Sequence, residues 1–281
     1  MARAFMRYLT GFEPPELRVI ASFVMTDLSK YLEVAIDAAF YAGKRTLAYF
    51  GAGVEVETKA DNTPVTIADR EAEKIIRQRI QHAFPTHSIL GEEAGLEAGD
   101  NPDFKWIIDP IDGTKTFVRG VPLYGCLIGL EIEGAASVGV LYLPATDEML
   151  YASLGSGAFL NGRKSRVSNV ARLEDATLLT TSSESCRRRG GAYDDLATRV
   201  KLTRGWGDCY GYMMVATGRA DIMLDAGMNV WDCAPMLPIL QEAGGRFTDW
   251  AGTATIYGSD AVGSNGALHD AVLEMLRPDV R

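Results

Sequence analysis

The stretch that most constrains this chain runs from Trp106 to Phe117 and reads Trp-Ile-Ile-Asp-Pro-Ile-Asp-Gly-Thr-Lys-Thr-Phe. Trp106, Ile107 and Ile108 are apolar and β-prone, and predict a short buried strand. Two acids follow, Asp109 and Asp112. Pro110 fixes its own φ and biases Asp109 toward extended geometry, so the carboxylates are held three residues apart around a bend. Gly113 lets the backbone approach a ligand closely, and Thr114 adds a hydroxyl. A helix starting here would turn its free N–H groups on the same spot, which favours an anion. Carboxylates for a hard cation beside amides for a phosphate make one coherent site. An acidic turn closing a strand would explain Asp-Gly alone; the twelve residues together favour a site.

With 281 residues the chain has the length for two lobes or one large α/β unit. Hydrophobic residues make up 47%, enough for a substantial core. A net charge of −9 and a pI near 5.0 argue against broad binding to nucleic acid or an anionic membrane. A phosphate ligand would need metal ions to reverse that local field. Cys126, Cys186, Cys209 and Cys233 form no Cys-x-x-Cys pair. Reduced thiols in a cytoplasmic protein are the simple reading. No apolar run reaches the roughly 18 residues of a spanning helix. Residues 1–26 are expected to be an N-terminal extension, packed on the surface or disordered. Arg3 and Arg7 lie there, but Pro14, Pro15 and Glu16 interrupt any signal-peptide core.

Periodicity orders the rest. Thr26 or Asp27 can cap a helix to about Phe50, and Lys59 to Thr66 reads as a polar loop. A second helix opens near Asp69, where Thr66-x-x-Asp69 fits a capping pattern that by itself gives Asp69 a structural role. Ser88 to Leu90 predicts a strand entering the turn Gly91-Glu92-Glu93. From Pro122 to Leu160 the pattern predicts an antiparallel meander. After about residue 170 strands and helices alternate, which divides the chain into lobes 27–170 and 171–281. Asp208 to Thr217 predicts a buried helix. Trp231 to Ala243 predicts another, capped by Asp232, kinked at Pro238 and closed by Gly244-Gly245. Arg187-Arg188-Arg189 reads as a solvated run.

Carboxylates dominate the informative positions. His82, His87 and His269 sit in no nucleophile motif, and no Gly-x-Ser-x-Gly elbow or Walker loop appears. The Asp-Pro-Ile-Asp-Gly-Thr run resembles the signature of the inositol monophosphatase superfamily of magnesium-dependent, lithium-sensitive phosphatases. Lys59 to Asp69 is similar to that family's early loop, and Gly91-Glu92-Glu93 to its Gly-Glu-Glu turn. Trp231-Asp232 with Glu242-Ala243-Gly244-Gly245 is similar to its C-terminal motif.

The resemblance implies a layered αβαβα sandwich of the inositol monophosphatase/fructose-1,6-bisphosphatase type. It implies two or three Mg²⁺ on Glu92, Asp109, Asp112, Asp232 and the carbonyl of Ile111. It also implies catalytic roles for Asp69, Glu92 and Thr114, with Asp69 accepting the Thr114 hydroxyl. Phosphate would sit on Gly113 and Thr114. The alcohol pocket would be lined by Trp206, Gly207, Asp208, Cys209, Tyr210 and Asp225. The bland alternative is that Asp208 caps a helix and the aromatics are core. Lys115 and the Arg204-Gly205-Trp206-Gly207-Asp208 stretch depart from the inositol branch and are similar to the histidinol-phosphatase branch. The expectation is therefore a cytoplasmic, homodimeric hydrolase of a small-molecule phosphate monoester, histidinol phosphate first. Inositol 1-phosphate or another sugar or nucleotide phosphate is the alternative. A non-catalytic regulatory binding protein on the same fold is the alternative of another class.

Overall fold

The computed structural model describes residues 27–53, 55–58 and 64–277, so the expected N-terminal extension and residues 59–63 of the early loop lie outside it. Helix α1 (Ser29–Leu47) buries Tyr31, Ala35, Ala38, Ala39 and Ala42, the three- and four-residue spacing of one helix face. The Asp27 carboxylate accepts the Ser29 N–H at 3.0 Å, which satisfies one free amide of the first turn. A two-strand ribbon, β1 (Glu57–Thr58) with β2 (Pro64–Val65), leads to α2 (Ile67–Ala83). The Thr66 hydroxyl accepts the Ala68 N–H at 3.1 Å, while Asp69 accepts the Thr66 N–H at 2.7 Å. This reciprocal box is the capping pattern read from the sequence.

The first sheet follows in chain order: β3 (His87–Gly91), β4 (Gly95–Glu97) and β5 (Asn101–Asp112), then the short helix α3 (Thr114–Phe117), then β6 (Gly125–Ile132), β7 (Ala135–Leu143), β8 (Glu148–Ser153), β9 (Gly157–Leu160) and β10 (Arg163–Ser165). Its eight strands lie in the order β10-β9-β8-β7-β6-β5-β3-β4. From β5 onward each strand pairs antiparallel with the next, the expected meander, while β3 runs parallel to β5. Strand β5 begins at Asn101, well before the apolar residues that announced it, because its first half is half-exposed and lacks a hydrophobic signal.

A second sheet is built from β11 (Thr177–Leu179), β12 (Leu202–Arg204), β13 (Ile222–Ala226), β14 (Arg246–Thr248) and β15 (Asp260–Ser264), ordered β12-β11-β13-β15-β14. Six helices accompany it: α4 (Ser183–Arg187), α5 (Ala192–Arg199), α6 (Asp208–Ala216), α7 (Val230–Cys233), α8 (Met236–Glu242) and α9 (His269–Leu276). The predicted single helix from Trp231 to Ala243 is two helices, and the break falls at Ala234-Pro235 rather than at Pro238. Pro235 has no N–H to continue the ladder. Pro238 is the third residue of α8, where an N–H would have no intrahelical acceptor, so it costs little there.

Alternation along β5 defines the layers. Trp106 and Ile108 pack with Ile76 and Ile80 of α2 on one face. Ile107 points the other way, into a core with Met213 of α6, Leu237 and Ile239 of α8, and Met223 of the second sheet. Beyond that sheet, Leu178, Leu224 and Val262 pack against Leu196 of α5 and Val272 of α9. The result is the expected αβαβα sandwich. Among the described residues no helix is long and apolar enough to cross a membrane.

Candidate functional site

A fault in the ladder of β5 creates the site. Asp109 pairs with Leu127 of β6 and Asp112 with Gly125, so three steps along β5 match two along β6. The extra residue is a β-bulge, and it explains how Pro110 is tolerated in a strand flanked on both sides. In a regular strand, residues three apart face opposite sides of the sheet. The bulge removes that parity and brings the two carboxylates together. Asp232, at the start of α7, supplies the third. The cap of this helix is Asn229 rather than the expected Asp232, whose carboxylate, three residues on, accepts the Asn229 N–H at 2.8 Å in a capping box. Oxygens of Asp109, Asp112 and Asp232 nonetheless lie within 4.8 Å of one another.

Glu92 stands at the end of β3, its N–H donating to the Ile108 carbonyl at 3.2 Å, so the turn is tied to β5. Its charge is among the causes that raise both Asp109 and Asp232. Sequence reasoning missed what holds this turn. Glu73 of α2 is buried and accepts the Glu93 and Ala94 N–H groups at 2.9 and 3.0 Å. Arg77 pairs with it at 2.8 Å and also reaches the Gly95 carbonyl at 2.6 Å. The Glu73-x-x-x-Arg77 spacing on a predicted helix was the available signal.

Gly113 adopts φ +85, a conformation that suits glycine, and starts α3. The Thr114 hydroxyl donates to the Ile111 carbonyl at 3.2 Å. The expected bond from Thr114 to Asp69 is not among those of the described residues. Asp69 is engaged by its own cap, accepting both the N–H and the hydroxyl of Thr66. Burial is the main cause that raises the Asp69 carboxyl.

Two cavities meet at the acids. One, of about 290 Å³, is lined by Glu92, Asp109, Asp112, Gly113, Thr114 and Asp232 among others. The next, of about 240 Å³, has Asp208, Cys209, Tyr212 and Asp225 in its walls, again with Asp112 and Asp232. Lys115 and Thr181 border both. Asp208 opens α6 and accepts the Thr116 hydroxyl at 3.2 Å, and the Cys209 N–H donates to Asp112. Gly207 presses on Thr181, whose Cα would lie 2.3 Å from any Cβ at position 207. Trp206 and Tyr210 line neither cavity. Trp206 is exposed beside the Arg204 guanidinium, and Tyr210 faces that of Arg219. Trp206 precedes the helix and lies exposed, Tyr210 packs half-buried against the core, and Asp208 and Cys209 line the cavity, a distinction that residue order alone does not carry.

The electrostatics call for a cation. Burial first, then neighbouring charges, pushes Asp109 and Asp112 well above the ordinary carboxylate range. For Asp109 those charges are Glu92, Asp112 and Asp232; for Asp112 they are Asp208 and Asp232. Asp232 is pushed up to about 7, chiefly by burial, although the Asn229 amide opposes the shift. An all-oxygen donor set with mutually repelling carboxylates fits a hard divalent ion.

Comparison with known proteins agrees with this geometry. Residues 27–280 match the sequence profile of the inositol monophosphatase family. A histidinol-phosphatase from Chlorobaculum parvum is 46% identical over 241 residues, covering 84% of this chain and 93% of that protein. The histidinol-phosphatase of Mycobacterium tuberculosis is 40% identical over 253 residues, 87% of this chain and 97% of that one. Among solved structures, an IMPase from Thermotoga maritima superposes with a TM-score of 0.81 at 34% identity, covering 88% of this chain and 96% of that one.

Proposed function

The chain belongs to the inositol monophosphatase family, and on that premise we propose that it is a Mg²⁺-dependent phosphate monoester hydrolase acting on histidinol phosphate. The observation that carries this reading is the meeting of Asp109, Asp112 and Asp232 beside a cavity that holds two further acids, Asp208 and Asp225. The two relatives named histidinol-phosphatase support the choice of ester. The cleft would lie between the proposed lobes 27–170 and 171–281. A cytoplasmic homodimer is the proposed form. The compartment is supported by four free, buried thiols. No nucleic-acid or membrane partner is proposed, in keeping with a net charge of −9.

In this reading Glu92, Asp109, Asp112, Asp232 and the Ile111 carbonyl hold two or three Mg²⁺. The ions supply charge neutralisation and polarise the phosphoryl oxygens. The remaining work falls to the chain. Gly113 and Thr114 offer amides at the start of α3, where the first N–H groups have no intrahelical acceptor, and these hold phosphate oxygens. Glu92 takes the proton of the attacking water, and the Thr114 hydroxyl orients that water. The Ile111 carbonyl would join the set through the lone pair that the Thr114 hydroxyl leaves open.

The leaving group is read by the acids beyond this centre. Histidinol phosphate carries an ammonium and an imidazole, whereas inositol 1-phosphate carries neutral hydroxyls. Asp208 and Asp225 favour the cationic group. Cys209 lines the wall beside them, Gly207 lines neither cavity but packs against Thr181, and Trp206 and Tyr210 take no part. Asp225→Asn tests this. The variant is expected to lose about ten- to a hundred-fold in kcat/KM for histidinol phosphate, the range of a hydrogen bond to a charged group, and far less for a neutral ester. Equal losses on both esters would make Asp225 a structural residue. The alternative substrate, inositol 1-phosphate, is favoured by the likeness to the Thermotoga IMPase.

A further inference from the structure

We propose that Thr181, just past the end of β11, is the positioning residue that sets Asp208 and Asp225 as a pair and so fixes which leaving group the cavity accepts. The proposal rests on the hydrolase reading above and deepens its account of specificity. The two acids come from different elements, Asp208 from the start of α6 and Asp225 from β13. One side chain joins them. The Thr181 hydroxyl accepts the Asp208 N–H at 2.7 Å and donates to one oxygen of Asp225 at 3.0 Å. The Thr181 N–H donates to the other oxygen of Asp225 at 2.8 Å.

The direction of these bonds is forced. A backbone N–H can only donate, so the hydroxyl must accept from Asp208 and keep its own proton for Asp225. Asp225 therefore meets two donors from one residue, one on each oxygen. That arrangement fixes the carboxylate plane and opposes the burial that pushes Asp225 up to about 7.

The Asp208 side needs a restraint as well. Asp208 has φ +51, a region that non-glycine residues rarely adopt. Its amide bond to the Thr181 hydroxyl holds the backbone there. Gly207 permits the contact, since any Cβ at that position would lie 2.3 Å from the Thr181 Cα and 2.7 Å from its hydroxyl. Loop and threonine thus pack directly together, and Thr181 borders both cavities. Removal of the hydroxyl would take its protein partner from the Asp208 amide and one donor from Asp225 at once.

The experiment compares full-length wild type, Thr181→Val, Thr181→Ala and Thr181→Ser with Mg²⁺, on histidinol phosphate and on 4-nitrophenyl phosphate. Thr181→Val keeps the shape and loses the hydroxyl. It is expected to raise KM for histidinol phosphate roughly tenfold or more, the scale of a lost hydrogen bond to a charged group, with a smaller change in kcat. Its constants for 4-nitrophenyl phosphate should stay within about twofold, since that ester does not use the acid pair. Thr181→Ser should stay close to wild type. Thr181→Ala, which loses the hydroxyl without the extra methyl, should match Thr181→Val and serves if the valine variant does not fold. Equal losses on both esters, or a serine variant as impaired as the valine one, would overturn the proposal. The substrate reading fails separately, if the wild type prefers inositol 1-phosphate to histidinol phosphate. The same variants are then compared on inositol 1-phosphate, whose hydroxyls would meet the same acids, and the same outcomes decide.

Discussion

Asp112→Asn is expected to cut turnover by at least about a thousandfold, yet to make the metal-free protein more resistant to heat. The first effect follows from the proposed ligand role. Metal polarisation of a phosphoryl group contributes several kcal/mol in the transition state, and about 4 kcal/mol is a factor of roughly a thousand. The second follows from crowding. Burial raises the Asp112 carboxyl first, and the charges of Asp208 and Asp232 raise it further. Asparagine removes one charge from that set but keeps an oxygen to accept the Cys209 N–H. The fold should therefore survive while repulsion falls. Turnover at saturating Mg²⁺ and thermal melts in excess chelator check the two halves. A variant as active as wild type would contradict the ligand role. A lower melting temperature in chelator would show that the carboxylate is structural.

Mg²⁺ is expected to raise the melting temperature by an amount that grows with pH. Asp232 stands near 7 in the folded, metal-free chain, against an ordinary value of 3.8. A carboxyl raised in this way gives stability that is complete below its unfolded pKa and is lost as pH climbs through its folded one. The metal-free protein should thus weaken between about pH 4 and pH 7, and Asp109 and Asp112 act in the same direction. Mg²⁺ binds the ionised cluster and removes the repulsion. At a hundred times Kd, binding contributes about 2.7 kcal/mol, or roughly 5–10 °C. In acid, protons compete for the same oxygens and the rise should shrink. Melts with and without Mg²⁺ at several pH values check this. A rise that is larger in acid than above neutrality would contradict it.

Much of the fold was legible because local chemistry and tertiary packing agree. The Thr66-Asp69 cap, the apolar β-prone run from Trp106 to Ile108 and the β-rich run after Pro122 each predict their element, and each element forms. The misses share one physical origin, since they depend on partners distant in sequence. Strand β12 is a three-residue edge with no apolar run, and it exists because β11 offers a parallel neighbour. The position of Pro238 was legible, but its tolerance depended on where Pro235 restarts the helix. At the site, the acids of the central motif could be named from sequence because a bulge at Pro110 aims both of them at one point. The supports could not. Glu73 and Thr181 accept backbone N–H groups of other segments and Arg77 donates to a backbone carbonyl, contacts hinted at only by the Glu73-x-x-x-Arg77 spacing. Trp206 and Tyr210 were expected in the pocket from the resemblance, but Trp206 lies exposed beside Arg204 and Tyr210 packs half-buried against the core.

The central claim is that the chain uses Mg²⁺ to hydrolyse histidinol phosphate in preference to a neutral ester. The most direct test is the ratio of kcat/KM for histidinol phosphate to that for inositol 1-phosphate, measured on the wild type as phosphate release with Mg²⁺ and again in excess chelator. The account predicts a ratio of at least about ten, set by a charged contact to the Asp208 and Asp225 pair, and no release of phosphate from either ester in chelator. A ratio below one, or undiminished release in chelator, would contradict it.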